Sequence, residues 1–559
     1  MLQRIRRWCR GLASGQAEVV GPIEAGPDQH WDMTVDVAVV GFGGAGASAA
    51  IEACDRGASV AVLERFNGGG STRISGGIVY AGGGTSIQAQ AGIEDSPDNM
   101  FNYLVRETGD AVCEATLRQF CEDSAGNIEW LMQQGVPFHA SLCPFKTSYP
   151  SNQYYLYYSG NESFPPYSDT ATPAPRGHRA HGKGVSGAAL FKPLQESARN
   201  KGANILTQHR VMGLVCDKDA DITGVQACGM PQGSLATFLH RQFYALLIFL
   251  RYAAMYAPVV AYCLRRMLEK LESAFGQTTM VRATSGVIIS TGGFFYNRGM
   301  VEQYAPSYLP GLPLGTIGDD GSGILMGQGV GARSALLDNV SDWRFVNPPH
   351  AFIKGILVDS NGQRICNEML YGAQLAEQIM HRANGQAWLL LDTDLAKQAL
   401  REIGPSRAMW FQSAAALVFL LLARKKAVTL DKLARKLGIP AAALRRTVAD
   451  YNELAADSQP DPMGKPAEHL AMLGEAPWYA LDCRIDGMVR NPSITLGGLS
   501  VDESSGEVLA QAGGKVNGLY AAGRSAVGIA SHSYVSGLSI AGCIFSGRRA
   551  GRHAAQGKD

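Results

Sequence analysis

The sequence carries almost no charge imbalance: 50 Lys and Arg face 49 Asp and Glu, for a formal net charge of +1. No global electrostatic pull toward nucleic acid exists, and none is expected as a partner. The sequence also lacks any C-x-x-C pair, and its 11 cysteines are scattered and odd in number. That argues against a zinc site or a disulfide framework and for a reducing compartment, so no metal is expected. The first 33 residues begin Met1-Leu2-Gln3-Arg4-Ile5-Arg6-Arg7-Trp8 and hold no long apolar run. They read as a basic extension, 1–33, with a solvated terminus rather than a secretory signal. No internal repeat stands out. Charged residues reach only 18% against 46% hydrophobic, the balance of a well-buried globular protein. A chain of 559 residues exceeds one ordinary core, so two domains with insertions are expected.

Glycine is what the sequence has in abundance, 66 residues, much of it clustered. Val35–Val40 is short and β-branched, the pattern of a buried parallel strand. It runs into Gly41-Phe42-Gly43-Gly44-Ala45-Gly46 and then an Ala-rich helical stretch. The glycines Gly41, Gly43 and Gly46 suit a tight turn, backbone approach to a pyrophosphate, and close helix–strand packing. A second strand, Ser59–Leu63, delivers Glu64 where a carboxylate can bind ribose hydroxyls. Gly68-Gly69-Gly70-Ser71-Thr72 and Ser75-Gly76-Gly77 form a second glycine-rich loop, which fits a pyrophosphate and a close-lying flavin, or else a flexible surface turn. Near the other end, Gly518-Leu519-Tyr520-Ala521-Ala522-Gly523-Arg524 repeats a strand-to-glycine pattern. Both features favour FAD, held non-covalently. The cofactor shell expected is Gly41, Gly43, Gly46, Glu64, Arg65, Gly70, Ser71, Thr72, Gly76, Gly77, Gly523, Arg524, Ser536 and Leu538.

With these residues in place, the chain resembles the FAD-dependent fumarate reductase and 3-ketosteroid dehydrogenase superfamily from about Asp36 to Ala555, with the Δ4-(5α) dehydrogenases closest. The stretches that carry the resemblance are Gly76-Gly77-Ile78-Val79-Tyr80, Glu94-Asp95-Ser96-Pro97, Tyr158-Ser159-Gly160-Asn161-Glu162, Pro173-Ala174-Pro175-Arg176-Gly177-His178 and Gly547-Arg548-Arg549-Ala550-Gly551. The fumarate branch is similar around Thr495-Leu496-Gly497-Gly498 but carries a histidine just before the threonine, where this chain has Ile494. A dicarboxylate needs cationic donors, which an isoleucine does not supply.

The resemblance implies an α/β fold: a discontinuous Rossmann-like FAD-binding domain, 34–291 and 476–559, and an α+β substrate-capping domain over 292–475; a hydrophobic helical insertion over 231–280 interrupts it. It implies desaturation beside a ketone, which needs a donor on the carbonyl, a base for the α-proton and a flavin for the β-hydride. Those protein roles fall on Tyr534, Ser536 and Tyr296, with Tyr534 as proton acceptor. Read without the family, Tyr296 is a core aromatic and Ser536 a turn cap. Tyr154, Tyr155, Tyr157 and Tyr158 either line an apolar steroid slot or are ordinary buried rings. Asp319-Asp320-Gly321 reads as a turn without a chemical role.

Gly224–Ala227 and Val281–Ala283 read as the two arms of a hairpin held apart by the insertion. Its run Phe243–Leu250, continuing apolar to Leu264 with Pro258 inside, approaches the length of a membrane span. Entry and exit at one hairpin would require two crossings, so a monotopic protrusion with Arg265-Arg266 near head groups is expected. The run Ala414–Ala423, ending in Arg424-Lys425-Lys426, joins the same patch; mutual burial or a dimer interface is the alternative. The expectation is thus a cytoplasmic, peripherally membrane-associated enzyme of steroid metabolism and lipid degradation, with a lipophilic acceptor such as a quinone and oligomerisation both compatible. Δ1-desaturation, reverse enone reduction and a membrane-bound flavin electron carrier stand as alternatives.

Overall fold

The computed structural model describes residues 19–26, 28–252, 258–404, 408–457 and 460–556. Its central sheet is built on Met33–Val40, which is wholly buried from Val37 onward, as a strand inside a covered parallel sheet must be. Val60–Glu64 lies parallel on one side, with Asn204–Thr207 beyond it. On the other side Gln277–Ile289 runs parallel to Met33–Val40, and Lys515–Ala521 runs parallel to Gln277–Ile289. Val40 is level with Leu63 and Ile289, and Ile289 with Ala521. The chain therefore leaves the sheet along one edge at Gly41, Glu64, Ser290 and Ala522, the edge at which parallel sheets gather ligands.

Helices Gly44–Asp55 and Leu538–Ala554 cross at close range beside this edge. A Cβ on Gly547 would run into the carbonyl oxygen of Ala45, and one on Gly551 into that of Ala49. Glycines one helical turn apart are what let the last helix lie on the first.

Ile222–Gly229 pairs antiparallel with the start of Gln277–Ile289, Val225 opposite Val281. Residues 230–276 are inserted between the two strands. They include helices Leu235–Phe249 and Pro258–Phe275, packed on each other. Tyr244 stacks on Phe66 at 4.3 Å. Buried Glu272 meets Arg65 at 2.9 Å, His240 at 3.2 Å and Arg210 at 3.5 Å, which anchors the second helix to the sheet. No described helix is long and apolar enough to cross a membrane.

A second core surrounds a four-stranded antiparallel sheet in the order Ile356–Val358, Trp388–Leu391, Trp478–Asp482, Arg424–Ala427. Helices Gly372–Ala383, Leu430–Leu437 and Ala441–Ala456 cover it through Leu375, Leu433 and Leu444. Helix Trp410–Leu421 adds Ala416, Phe419 and Leu420 to the same core. Trp478–Asp482 belongs to this sheet, past the boundary at 475. Phe294, Phe295, Met300 and Ile324 instead pack into the core of the central sheet. Of the N-terminal extension, residues 1–18 lie outside the described residues, and Ile23–Glu24 pairs with Val215–Cys216.

Candidate active site

A cavity of about 770 Å³ opens at the strand edge and extends to the second core. Its sheet end is a glycine cradle. Gly41 has φ +95°, and a Cβ there would lie 2.7 Å from the carbonyl oxygen of Ser290. A Cβ on Gly46 would run into the Gly41 carbonyl, whereas one on Gly43 would meet nothing nearer than 3.9 Å. The first and third glycines thus permit the turn and the packing, and the second leaves space open over the start of helix Gly44–Asp55. A helix N-terminus with free space above it suits an anion.

Glu64 Oε2 accepts from Phe42 N–H at 2.9 Å and Oε1 from Phe66 N–H at 2.8 Å. Burial pushes this carboxyl above its ordinary range, against those two amides. It holds the loop and retains lone pairs for hydroxyl donors. Thr72 Oγ1 accepts from Gly44 N–H at 3.0 Å. Arg65 is committed to Glu272 and to Asp320, the latter at 3.1 Å. All of the expected cofactor residues line the cavity except Gly46, Gly77 and Leu538, which sit in its packed walls; Ser539, Ile540 and Cys543 line it in place of Leu538.

Asp319, expected to be a plain turn residue, is a hub of this wall. It accepts from Gly293 N–H at 3.2 Å and Thr316 N–H at 3.1 Å, from the Ser71 hydroxyl, and pairs with Arg524. Nη1 of Arg524 is buried with no hydrogen-bond partner among the described residues, although Arg524 lines the cavity. An open pyrophosphate cradle, a carboxylate at a strand end and an orphaned guanidinium donor together fit FAD.

At the far end the ring of Tyr534 is buried against Trp343 and Tyr371. Burial pushes its phenol up to about 12, while the backbone N–H of Gly537 and the charge of Arg524 act to lower it. Gly537 itself has φ +93°, and a Cβ there would lie 2.7 Å from Tyr80 N. Ser536 Oγ is hydrogen-bonded to the Tyr157 hydroxyl at 3.1 Å, and Tyr371 lines the same end of the cavity, its ring 6.4 Å from that of Tyr534. Burial also drives the Tyr157 and Tyr371 phenols well above their ordinary range. Ile494, Trp343, Phe345 and Phe419 make this end apolar. Behind it, Gln374 Nε2 donates to Ser533 Oγ at 2.9 Å, to the Tyr534 carbonyl at 3.4 Å and to buried Glu107.

The structure brings Tyr534 and Ser536 together but sets Tyr296 elsewhere. Tyr296 lines the cavity beside Phe66, Tyr244 and Ile317, on the insertion side, and donates its backbone N–H to the Asp319 carbonyl at 3.0 Å. Tyr371, not among the expected residues, packs against Tyr534 and lines the cavity, and its only local signal is a tyrosine before a helix. Of the expected aromatic cluster, Tyr157 reaches Ser536, whereas Tyr155 packs against the buried Arg179 guanidinium. Arg176 pairs with Asp95 at 2.8 Å in full burial, and His178 bonds Thr85 at 2.8 Å, its pKa lowered to about 4 by burial. His532 is half exposed and 3.6 Å from Asp110, outside the cavity.

The FAD binding domain family matches residues 36–539. A 3-oxo-5-alpha-steroid 4-dehydrogenase of Comamonas testosteroni is 38% identical over 500 residues, covering 88% of this chain and 93% of that protein. The crystal structure of 3-ketosteroid-delta4-(5alpha)-dehydrogenase from Rhodococcus jostii RHA1 with 4-androstene-3,17-dione superposes with a TM-score of 0.80 at 32% identity, covering 96% of this chain and 100% of that one. A 3-oxosteroid 1-dehydrogenase of Mycobacterium tuberculosis is 26% identical over 585 residues, covering 90% of this chain and 95% of that protein.

Proposed function

The chain belongs to the FAD binding domain family, among its 3-ketosteroid dehydrogenases, and on that premise we propose that it introduces the 4,5 double bond into a 5α-3-ketosteroid. The reading rests chiefly on one cavity that holds both the glycine cradle and the Tyr534–Ser536–Tyr371 hydroxyl cluster. FAD, when bound, supplies the hydride acceptor for carbon 5.

The chain's own residues do the rest. Hydroxyl donors at Tyr371 and Ser536 polarise the 3-keto oxygen, which acidifies the protons on carbon 4. Tyr534 takes one of them. A buried phenol is a reluctant base, and the Gly537 backbone N–H and the charge of Arg524 offset part of that reluctance. Tyr157 orients Ser536. Trp343, Phe345 and Ile494 exclude water from the ring system. Tyr296 belongs to the nucleotide side of this scheme.

In the same reading FAD is held without a covalent bond, its pyrophosphate at Gly41–Gly44, its ribose at Glu64 and its flavin side near Asp319, Gly523 and Arg524. A Rossmann-like domain drawn from both ends of the chain holds it, the 340–485 core caps it, and the 231–280 insertion rests on the cytoplasmic face of a membrane, where a quinone can accept the electrons. Support for the discontinuous domain is the parallel pairing of Lys515–Ala521 with Gln277–Ile289.

Anaerobic incubation of the purified protein with a 5α-saturated 3-ketosteroid and an artificial acceptor tests the reading. The 4-ene product is expected. A 1-ene product would move the assignment to the Δ1 class, to which Ser531-His532-Ser533-Tyr534 is similar. A flavin that stays oxidised, with no product, would leave only the electron carrier.

A further inference from the structure

Resting on that reading, we propose that the cavity opens onto a lipid bilayer through a portal framed by Tyr252, Trp410 and Phe411, and that the steroid enters there from the membrane. The ring of Tyr252 meets Trp410 edge-on at 5.3 Å and stacks over Phe411 at 6.4 Å. All three line the cavity that contains Tyr534. Tyr252 follows the first insertion helix and Trp410 opens helix Trp410–Leu421, so elements far apart in sequence close one mouth.

The surface around that mouth is apolar where water should meet polar groups. Helix Trp410–Leu421 exposes Trp410, Ala414, Leu417 and Leu421, one face at helical spacing, while Ala416, Phe419 and Leu420 fill the core on the other. Trp410 is 62% exposed and Leu421 55%. On the other side of the mouth Leu246 and Phe249, the latter 79% exposed, end one insertion helix, and Val259 and Val260 begin the next. A helix apolar all round needs a second apolar medium. No described helix is long enough to cross a bilayer, which leaves the in-plane arrangement.

Charge selects the occupant. Arg424-Lys425-Lys426 directly follow the Leu421–Leu422 end, with Lys425 and Lys426 exposed, and Arg266 and Lys270 are exposed on the second insertion helix. An apolar surface rimmed by cations fits anionic head groups, and a steroid dissolved in the acyl region would then lie at the mouth of an apolar cavity.

The test uses the full-length holoenzyme, vesicles of phosphatidylcholine with or without phosphatidylglycerol, and steroid supplied either in the vesicles or as a cyclodextrin complex. Flotation with phosphatidylglycerol vesicles is expected. The pair Phe249→Glu and Leu421→Glu, neither of which lines the cavity, should abolish flotation and lower the rate on vesicle-borne steroid by roughly tenfold or more. The rate on the cyclodextrin complex should not change. Tyr252→Ala with Phe411→Ala leaves Trp410 and the rest of the exposed stripe in place, so it should keep flotation but shift KM for vesicle-borne steroid. Wild-type protein that does not float, or a charged pair with an unaltered vesicle-borne rate, would overturn the proposal. So would an unshifted KM, or a dimer that the charged pair splits without affecting that rate. Wild-type protein inert toward the cyclodextrin complex would instead defeat the dehydrogenase reading on which the portal rests.

Discussion

The ring of Tyr534 packs 5.2 Å from the indole of Trp343, the two planes inclined by 41°. Trp343 leads from the central part of the chain toward the second core, and Tyr534 comes from the turn before the last helix. The phenol is therefore clamped between parts of the chain that meet only in the folded state. The ring is buried, which restricts its orientation and makes the phenol reluctant to ionise.

Replacing Tyr534 with Phe takes away the proposed proton acceptor and leaves the ring packing in place. Turnover should fall by roughly 100-fold or more, with the bound-flavin absorbance and melting temperature retained. Because burial holds the phenol up at about 12, kcat/KM of the unaltered enzyme should climb as pH rises from neutral into the alkaline range. A flat profile would exclude the phenolate as base.

Glu107 lies behind Tyr534, accepting from the Tyr103 hydroxyl at 2.7 Å and from Asn161 at 3.2 Å. Burial nonetheless pushes it up to about 8, above the unfolded value of about 4.3. Its contribution to stability is fully present below the unfolded value and is lost as pH rises through the folded one. The wild-type melting temperature should therefore decline between about pH 5 and pH 8, and Glu107→Gln should flatten that decline. An equal slope in both proteins would show that Glu107 does not titrate in this range.

Glu272 shows the opposite sign. Burial alone would raise it, but Arg65, His240 and Arg210 around it hold it well below the usual carboxylate range. Its stabilisation is present above the unfolded value and fades as pH falls below that value. Glu272→Ala leaves Arg65 buried with only Asp320, a loss of about 3–5 kcal/mol for a broken buried pair. Urea unfolding should report it, and hydrogen exchange should localise the loosening to 235–275.

Gly547→Ala would drive a methyl group into the carbonyl of Ala45. Overpacking of this kind costs about 1–3 kcal/mol, and the helix it displaces begins beside the cavity, so FAD retention should fall along with the melting temperature. Gly542 lies in the same helix with nothing within 4 Å of its would-be Cβ. Gly542→Ala should be neutral or slightly stabilising.

The cradle was legible because its logic is local. A β-branched strand, three glycines at set spacing, a helix and an acid at the next strand end are all read within Val35–Glu64, and each distance there is dictated by backbone geometry. The hairpin arms at Gly224 and Val281 were legible for the same reason, since period-2 alternation survives an insertion of any length. Tyr371 and Asp319 were not. Neither carries a distinctive neighbour in sequence: Tyr371 precedes an ordinary helix and Asp319 follows an ordinary turn. Each gains its place only when its backbone is set against Ser536, or against Gly293 and Arg524, from remote parts of the chain. Tyr296, three residues past a strand and a Gly-Gly turn, looked well placed, yet the insertion draws it into the cluster around Phe66.

The sequence by itself determined the nucleotide cradle, the order of the elements around it, the apolar character of the runs Phe243–Leu250 and Ala414–Ala423 and the absence of a cation at Ile494. Only the tertiary structure decided which hydroxyls face Tyr534, and that the two apolar runs meet at Tyr252 and Trp410. The physical reason is range: hydrogen-bonded backbone periodicity acts within a few residues, whereas a buried site is assembled by hydrophobic packing between segments whose separation in sequence carries no record of their meeting.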